Sequence, residues 1–284
     1  MPLLLRRVLL SLLPLGLLAC GGGQGQETAV PADPAGFVIV EMGTLPVVIS
    51  VPHGGTSVIP EVPELPWGSG VVEAGTLELA RAIQVELQAR TGQRARLVAS
   101  MASRKQVDPD RPVREGSGHP AAGAVYARYH EAVAAAVQTA RSQCPAGALL
   151  VDLHGQGVEV GSILRQTQNG RSAELDLLLG PGGFLASLAD GGLALFPTQP
   201  RDLEAREPES GYLLDAFGIQ APGGIQAVHL ALGMEFRATP KAREAAAARV
   251  AQAIVAHLRA HAPGVKLPEP PLPTAQRRVA PSGA

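Results

Sequence analysis

Aromatic residues make up only 3% of the 284-residue chain and charged residues 17%, and 24 Lys and Arg balance 25 Asp and Glu to a net charge of −1. The missing basic excess argues against a nucleic-acid partner, which needs cationic side chains to neutralise phosphates. The scarcity of aromatics removes base or sugar stacking as the main recognition device. No Gly-x-x-x-x-Gly-Lys-Ser/Thr loop is present to cradle a phosphate, and no Gly-x-Ser-x-Gly elbow to carry a serine nucleophile. What remains is an ordinary 46% of hydrophobic residues, enough to bury a core, with 33 Gly and 25 Pro that point to many turns and at least one unstructured tail.

The first twenty residues read MPLLLRRVLLSLLPLGLLAC. Arg6 and Arg7 form a positive start, Val8 to Leu18 an apolar stretch, and Ala19 a small residue before Cys20. The apolar run is short and interrupted by Pro14, a poor spanning helix and a good signal peptide. Leu17-Leu18-Ala19-Cys20 resembles the bacterial lipobox. That resemblance implies cleavage before Cys20, lipidation of Cys20, and an exported protein anchored to a membrane of the cell envelope by acyl chains. An ordinary secretory signal with an incidental Cys20 is the alternative. With Cys20 lipidated, Cys144 is left as a lone thiol with no intrachain partner, and stability must come from the core.

Residues 1–19 are thus expected to be signal peptide, 20–36 a Gly-, Gln- and Pro-rich flexible linker, 37–264 the folded domain, and 265–284 a Pro-rich disordered tail. Phe37–Glu41 and Val47–Val51 predict two strands at a turn. Gly75–Arg90 and Ala121–Arg141 show helical spacing of apolar residues. Ala95–Ser100, Gly147–Leu153 and Ile225–Phe236 read as strands, and residues 172–190 hold another helix around Leu175–Leu179 and Phe184–Leu188. Thr239-Pro240 caps a last helix that runs to about His261. Strands alternating with helices define a single α/β domain with a mostly parallel or mixed sheet flanked by helices.

The strongest local signal is Pro52-His53-Gly54-Gly55 after an apolar strand, where α/β folds place ligands and glycine lets backbone approach them. Asp152-Leu153-His154-Gly155 repeats the arrangement after a second buried strand. Strand alternation puts Asp152 and His154 on one face, so the carboxylate can fix the imidazole tautomer. Two strand-end His-Gly pairs point to a shared metal site, and a hydrolytic zinc site wants three protein ligands with an open fourth position. Glu73, at the start of the helix after the His53 loop, is the third candidate, although local sequence equally allows an ordinary first-turn Glu.

These residues resemble the N-formylglutamate amidohydrolases and their zinc-dependent relatives. Pro52-His53-Gly54-Gly55, Glu73-x-x-Thr76-x-x-Leu79-Ala80, Arg104-x-x-Val107-Asp108-x-Asp110-Arg111, Tyr126-x-x-Tyr129-His130, Asp152-Leu153-His154-Gly155, Ser210-Gly211-Tyr212 and Gly233-Met234-Glu235 follow the family's motifs in order over roughly residues 45 to 240. Three positions depart from it: Glu73 stands where Asp is more frequent, Asp110 where Asn is usual, and Gly233 where Gln is usual. The resemblance implies a phosphorylase/hydrolase-like fold and one zinc per chain held by His53, Glu73 and His154. It further implies Glu235 as general base, Arg104 and Arg111 as the binders of a substrate carboxylate, and His130 as a group that orients substrate or stabilises the oxyanion. Read locally, the arginines equally form a surface ion-pair cluster with Asp108, Asp110 and Arg114, and His130 a packed structural histidine.

The expected activity is hydrolysis of the amide bond of a small N-acylated amino acid such as N-formylglutamate. An exported chain would more naturally meet muropeptides, so a cell-wall amidase or carboxypeptidase with the same zinc site is the alternative. A lipoprotein that keeps the fold and only binds ligand or metal is the third reading.

Overall fold

The computed structural model describes residues 36–199, 202–204 and 211–269. The signal peptide, Cys20, nearly all of the linker, Ser210 and the tail from 270 onward lie outside the described residues. In chain order the elements are β1 (Val38–Glu41), β2 (Val47–Val51), α1 (Thr76–Thr91), β3 (Arg96–Ser100), α2 (Val113–Gly116), α3 (Pro120–Gln143) and β4 (Leu149–Gly155). Then follow β5 (Ile163–Gln166), α4 (Leu175–Leu179), α5 (Phe184–Asp190), β6 (Leu195–Phe196), α6 (Tyr212–Phe217), β7 (Gln226–Leu232), a 3-10 turn (Met234–Phe236) and α7 (Pro240–His261).

The strands form one mixed sheet in the order β1-β3-β2-β4-β7-β5-β6. The central strands β3, β2, β4 and β7 are mutually parallel, β1 and β5 run antiparallel to their neighbours, and β6 runs parallel to β5 at the edge. One α/β domain with a mixed sheet flanked by helices is therefore the architecture, as the alternation of elements predicts. The two strands expected at a turn are not partners, however. β3 lies between β1 and β2, with Val38 opposite Ser100. The linker between them arches over the start of β3, where Thr44 and Leu45 donate their N–H groups to Arg94 O, each at 3.0 Å. The strand expected over Ile225–Phe236 likewise stops at Leu232, and Met234–Phe236 turns back as a 3-10 helix.

Strand alternation sends Val47, Ile49, Val51, Leu149, Val151, Leu153, Val228, Leu230 and Leu232 into one apolar layer with α1, α5 and α7. On the opposite face Val48, Val98, Leu150 and Ala227 pack against α3 and α6. That second face changes character along the strands. Val48 is followed by Ser50, Leu150 by Asp152 and His154, and Ala227 by His229, all buried. An apolar half anchors α3, and a polar half remains at the C-terminal ends of the strands. β3 and β4 lie on opposite sides of β2 and are reached over opposite faces, by α1 and α3, so the loops after β2 and β4 diverge where α/β sheets open a crevice for ligands.

Cys144, at the C-cap of α3, is fully buried, and no cysteine is free among the described residues, so it is not the lone thiol expected of it. Past α7, Val265 and Leu267 still pack against the core and Gln93 Nε2 donates to Lys266 O at 2.9 Å. No described helix is long and apolar enough to cross a membrane. The Thr239 side chain accepts from Ala242 N at 3.2 Å, with Pro240 in the first turn of α7. Thr239→Ala should therefore cost about 1 kcal/mol, read as a lower urea midpoint with unchanged slope.

Candidate metal centre

His53 stands two residues past β2, on a chain that runs close against the segment after β3. A Cβ on Gly55 would fall 2.2 Å from the Met101 carbonyl carbon, so only glycine lets the loop pass. Glu73 is brought back to His53 by a backbone bond, Glu73 N to His53 O at 3.0 Å. Gly75, at φ 84°, then turns the chain into α1 beneath the Arg237 carbonyl. His154 is the penultimate residue of β4.

The three side chains meet in the interior. Glu73 Oε1 lies 2.9 Å from His53 Nδ1 and Oε2 lies 3.1 Å from His154 Nδ1, while Gly155 N donates to Oε2 at 2.9 Å. The far nitrogens of both rings face carboxylates: His53 Nε2 lies 2.7 Å from Asp108 Oδ1 and His154 Nε2 3.0 Å from Asp152 Oδ2. Ser50 Oγ donates to the other oxygen of Asp152 at 2.7 Å. Asp152 thus stands where alternation along β4 predicted it.

The electrostatics follow from this packing. Burial opposes a charge on His53, but Asp108 and Glu73 outweigh it and raise its pKa above the ordinary histidine value. Burial opposes the charge on His154 too, and Asp152 with Glu73 raises that pKa further. Against the same burial, His154 and His53 hold the Glu73 carboxyl well below the usual carboxylate range. His53 and Arg104 hold Asp108 low, and His154 with His229 holds Asp152 low. Asp110 goes the other way, pushed up by burial and then by the Asp152 carboxylate.

The donor set fits a divalent metal. Each Nε2–H is donated to a carboxylate, which leaves the lone pair of each Nδ1 on the side of Glu73. Lone pairs of two neutral imidazoles and a carboxylate repel one another unless positive charge lies between them. In the metal-free protein protons on the rings supply it, and a cation would supply the same. Two imidazoles and one carboxylate, with donor atoms within 4.8 Å of one another and all three residues buried, are the ligand types and number of a catalytic zinc site.

Arg104 joins this cluster, its Nε donating to Asp108 Oδ2 at 3.1 Å and an Nη to Glu73 Oε1 at 3.2 Å. Arg111 sits beside it, Nε 3.4 Å from Asp108 Oδ2. The ion pairs with Asp108 that local sequence allows for these arginines do form, with Asp108 and Arg111 buried and Arg104 half-buried. Asp110 accepts from Gly211 N at 2.7 Å and Leu213 N at 3.0 Å, which fixes the start of α6 over the site. His130 stays outside the cluster. It stacks on Tyr126 at 4.3 Å between centroids and donates Nε2–H to Pro109 O at 2.9 Å, which holds the Asp108–Asp110 turn. Burial lowers its pKa to about 4. Glu235 is exposed on the 3-10 turn, and a Cβ on Gly161 would lie 3.2 Å from its carboxylate. Among the described residues no hydrogen bond or ion pair links Glu235 to His53, Glu73 or His154.

Three participants are not evident from the sequence motifs. Asp108 reads locally as a partner for arginines. His229 carries one local signal, a histidine inside the apolar run Ala227-Val228-His229-Leu230-Ala231. It stacks on His154 with centroids 4.1 Å apart. Arg237 clamps the floor of the site, its guanidinium donating to the carbonyls of Leu232, Ala74 and Gln156.

No protein-family model matches the chain, and no curated protein is similar to it in sequence. Its fold is shared with solved structures, including the following two. One is the N-formylglutamate amidohydrolase of Ralstonia eutropha JMP134, at 14% identity and a TM-score of 0.57, covering 80% of this chain and 99% of that one. The other is a gene product of Agrobacterium tumefaciens, at 16% identity and a TM-score of 0.54, covering 78% of this chain and 94% of that one. The chain is thus an α/β protein with the fold of an amidohydrolase and a buried His/Asp/Glu cluster that could hold a metal ion.

Proposed function

We propose that the protein is a zinc-dependent amidohydrolase that cleaves the amide bond of an N-acylated amino acid similar to N-formylglutamate. The observation that carries this reading is the convergence of His53 Nδ1 and His154 Nδ1 on Glu73, with both Nε2 atoms held by the carboxylates of Asp108 and Asp152. His53, Glu73 and His154 would hold the metal. Bound there, zinc supplies Lewis-acid polarisation of an amide carbonyl and a lowered water pKa.

The other roles belong to the chain's own side chains. Asp108 and Asp152 fix the tautomer and orientation of the two histidines. Arg104 and Arg111 bind the substrate carboxylate, a task suited to the planar guanidinium fork, and Asp108 keeps both pointed at the crevice. Glu235, on the turn after β7, takes a proton from the attacking water and returns it to the leaving amine. His130 orients the Asp108–Asp110 turn through Pro109, a positioning role.

The test is hydrolysis by the zinc-loaded protein of N-formyl, N-acetyl and longer N-acyl amino acids, followed by release of the free amine. Activity that disappears on chelation and returns with zinc is expected. Arg111→Met should raise KM for carboxylate-bearing substrates about tenfold or more while leaving the corresponding amides little changed. Full metal loading with no amide hydrolysis would sink the reading and leave a binding protein.

A further inference from the structure

His154 faces Glu73 with one nitrogen, and its other nitrogen belongs to a cluster of donor groups that the amidohydrolase reading does not use as a binding site. Asp110, Asp152 and His229 complete it, all buried. We propose that this cluster is a second site for a divalent transition-metal cation, with Asp110, Asp152, His154 Nε2 and His229 Nδ1 as its four ligands.

Their separations suit such an ion. Asp152 Oδ2 lies 3.0 Å from His154 Nε2 and 3.5 Å from His229 Nδ1, and Asp110 Oδ2 lies 3.8 Å from His154 Nε2. The edge of a tetrahedron of zinc ligands is about 3.3 Å, given bonds of about 2.0 Å. The two carboxylates balance the charge of a divalent cation, so neutral imidazoles complete the set without excess charge.

An independent observation comes from His229. The residue is 4% exposed, and its Nδ1, aimed at Asp152, makes no hydrogen bond. A buried ring nitrogen without a partner costs free energy that a ligand there would recover. The neighbouring oxygens do not fill that need. Asp152 is engaged by Ser50 and His154, and Asp110 by the backbone of Gly211 and Leu213.

Four protein donors leave no open position, so the site is structural or regulatory rather than catalytic. A cation there takes the place of the proton on His154 Nε2, which goes to solvent. When the Glu73 side is filled as well, the His154 ring has lost both protons and bridges two ions as an imidazolate. Repulsion between ions on either side of one ring makes the later one bind more weakly. The site itself does not depend on the amidohydrolase reading, since His229 belongs to this cluster alone and His53 to the other.

The experiment is equilibrium dialysis of the purified protein against rising zinc, wild type beside His229→Gln and His53→Ala. About two ions per chain in the wild type and about one in each variant is the expected result. Saturation of the wild type at about one ion, with His229→Gln unchanged and His53→Ala empty, would overturn the proposal and leave the three-ligand site standing. One ion lost in His229→Gln but retained in His53→Ala would support the four-donor cluster and remove the three-ligand reading. One ion lost in both variants, or none in the wild type, would also overturn it. Should His229→Gln fail to fold, a zinc-edge anomalous difference map of wild-type crystals in excess zinc decides the matter. Peaks on both sides of the His154 ring support the site, and a peak only on the Glu73 side overturns it.

Discussion

On the proposed function, Glu73→Gln is expected to empty the His53–Glu73–His154 site of zinc at ordinary concentrations and to lower kcat/KM by about a thousandfold, roughly 4 kcal/mol at about 1.4 kcal/mol per factor of ten. The change is nearly isosteric, so the effect has to come from charge and lone pairs. Oε1 faces His53 Nδ1 and the Arg104 guanidinium, and Oε2 faces His154 Nδ1 and accepts from Gly155 N. An amide offers only one acceptor oxygen. If the oxygen keeps Gly155, the NH2 group points at the donor side of His53 and Arg104. In the opposite orientation Gly155 loses its acceptor. Either way the proposed centre loses its one anionic ligand, while two buried histidines and the half-buried Arg104 stay beside it. Removing one partner of a buried charge pair costs about 3–5 kcal/mol, so the metal-free variant should also show a lower urea midpoint. Glu78, exposed on the outer face of α1, supplies the control: Glu78→Gln should change neither metal content nor stability. Zinc content by elemental analysis beside the wild type decides the point: one ion fewer is expected, and a Glu73→Gln protein with the wild-type zinc content would remove Glu73 from the ligand set.

Much of this centre was legible because its parts sit at places where sequence is most explicit. His53 and His154 each follow a buried strand and precede glycine, and Asp152 is one alternation away from His154. The helices α1, α3 and α7 declared themselves through apolar spacing and through Gly92, Thr239 and Pro240 at their ends. The stretch holding α4 and α5 reads as a single helix, and β5, β6, α2 and α6 were invisible for the complementary reason. β5 spans Ile163–Gln166, with alternate half-buried positions Leu164 and Gln166, β6 is only Leu195–Phe196, and α2 and α6 have 4 and 6 residues. Such stretches are too brief to show a period and are specified by the neighbours they pair with. Strand order was equally hidden. That β3 inserts between β1 and β2 depends on the linker crossing over Arg94, a contact 50 residues away in the chain. Asp108 illustrates the limit for the site. Its carboxylate reaches His53 only because Gln106 bonds the Ile59 backbone and the Val62 carbonyl, fixing the turn against the loop after β2. No local pattern encodes that placement.

With zinc removed, stability is expected to fall as pH rises through the neutral range, and with zinc bound the trend should reverse. His53 and His154 have folded pKa values raised above the unfolded histidine value by Asp108, Asp152 and Glu73, against the pull of burial. Their contribution is complete below about pH 6.5, where both folded and unfolded histidines are protonated, and is lost as pH climbs through the folded values. Asp110 acts in the same direction from the acid side: burial and Asp152 raise its pKa, so its contribution is complete below the unfolded carboxylate value and is lost as pH rises through the folded one. Glu73, Asp108 and Asp152 act at the other end. Their depressed values contribute stability above the unfolded carboxylate range, and that contribution is lost as pH falls through the folded values. The metal-free protein therefore has its stability maximum on the mildly acidic side. Zinc needs the Nδ1 lone pairs that protons occupy at low pH, so its affinity rises with pH. Its stabilisation grows with the ratio of free zinc to the dissociation constant. Melting curves from about pH 5.5 to about pH 8.5, with chelator and with zinc, should diverge steadily, at about 2–4 °C for each kcal/mol in a domain of this size. A metal-free melting temperature that rises across that range, or a zinc increment independent of pH, would show that His53 and His154 do not exchange protons for metal.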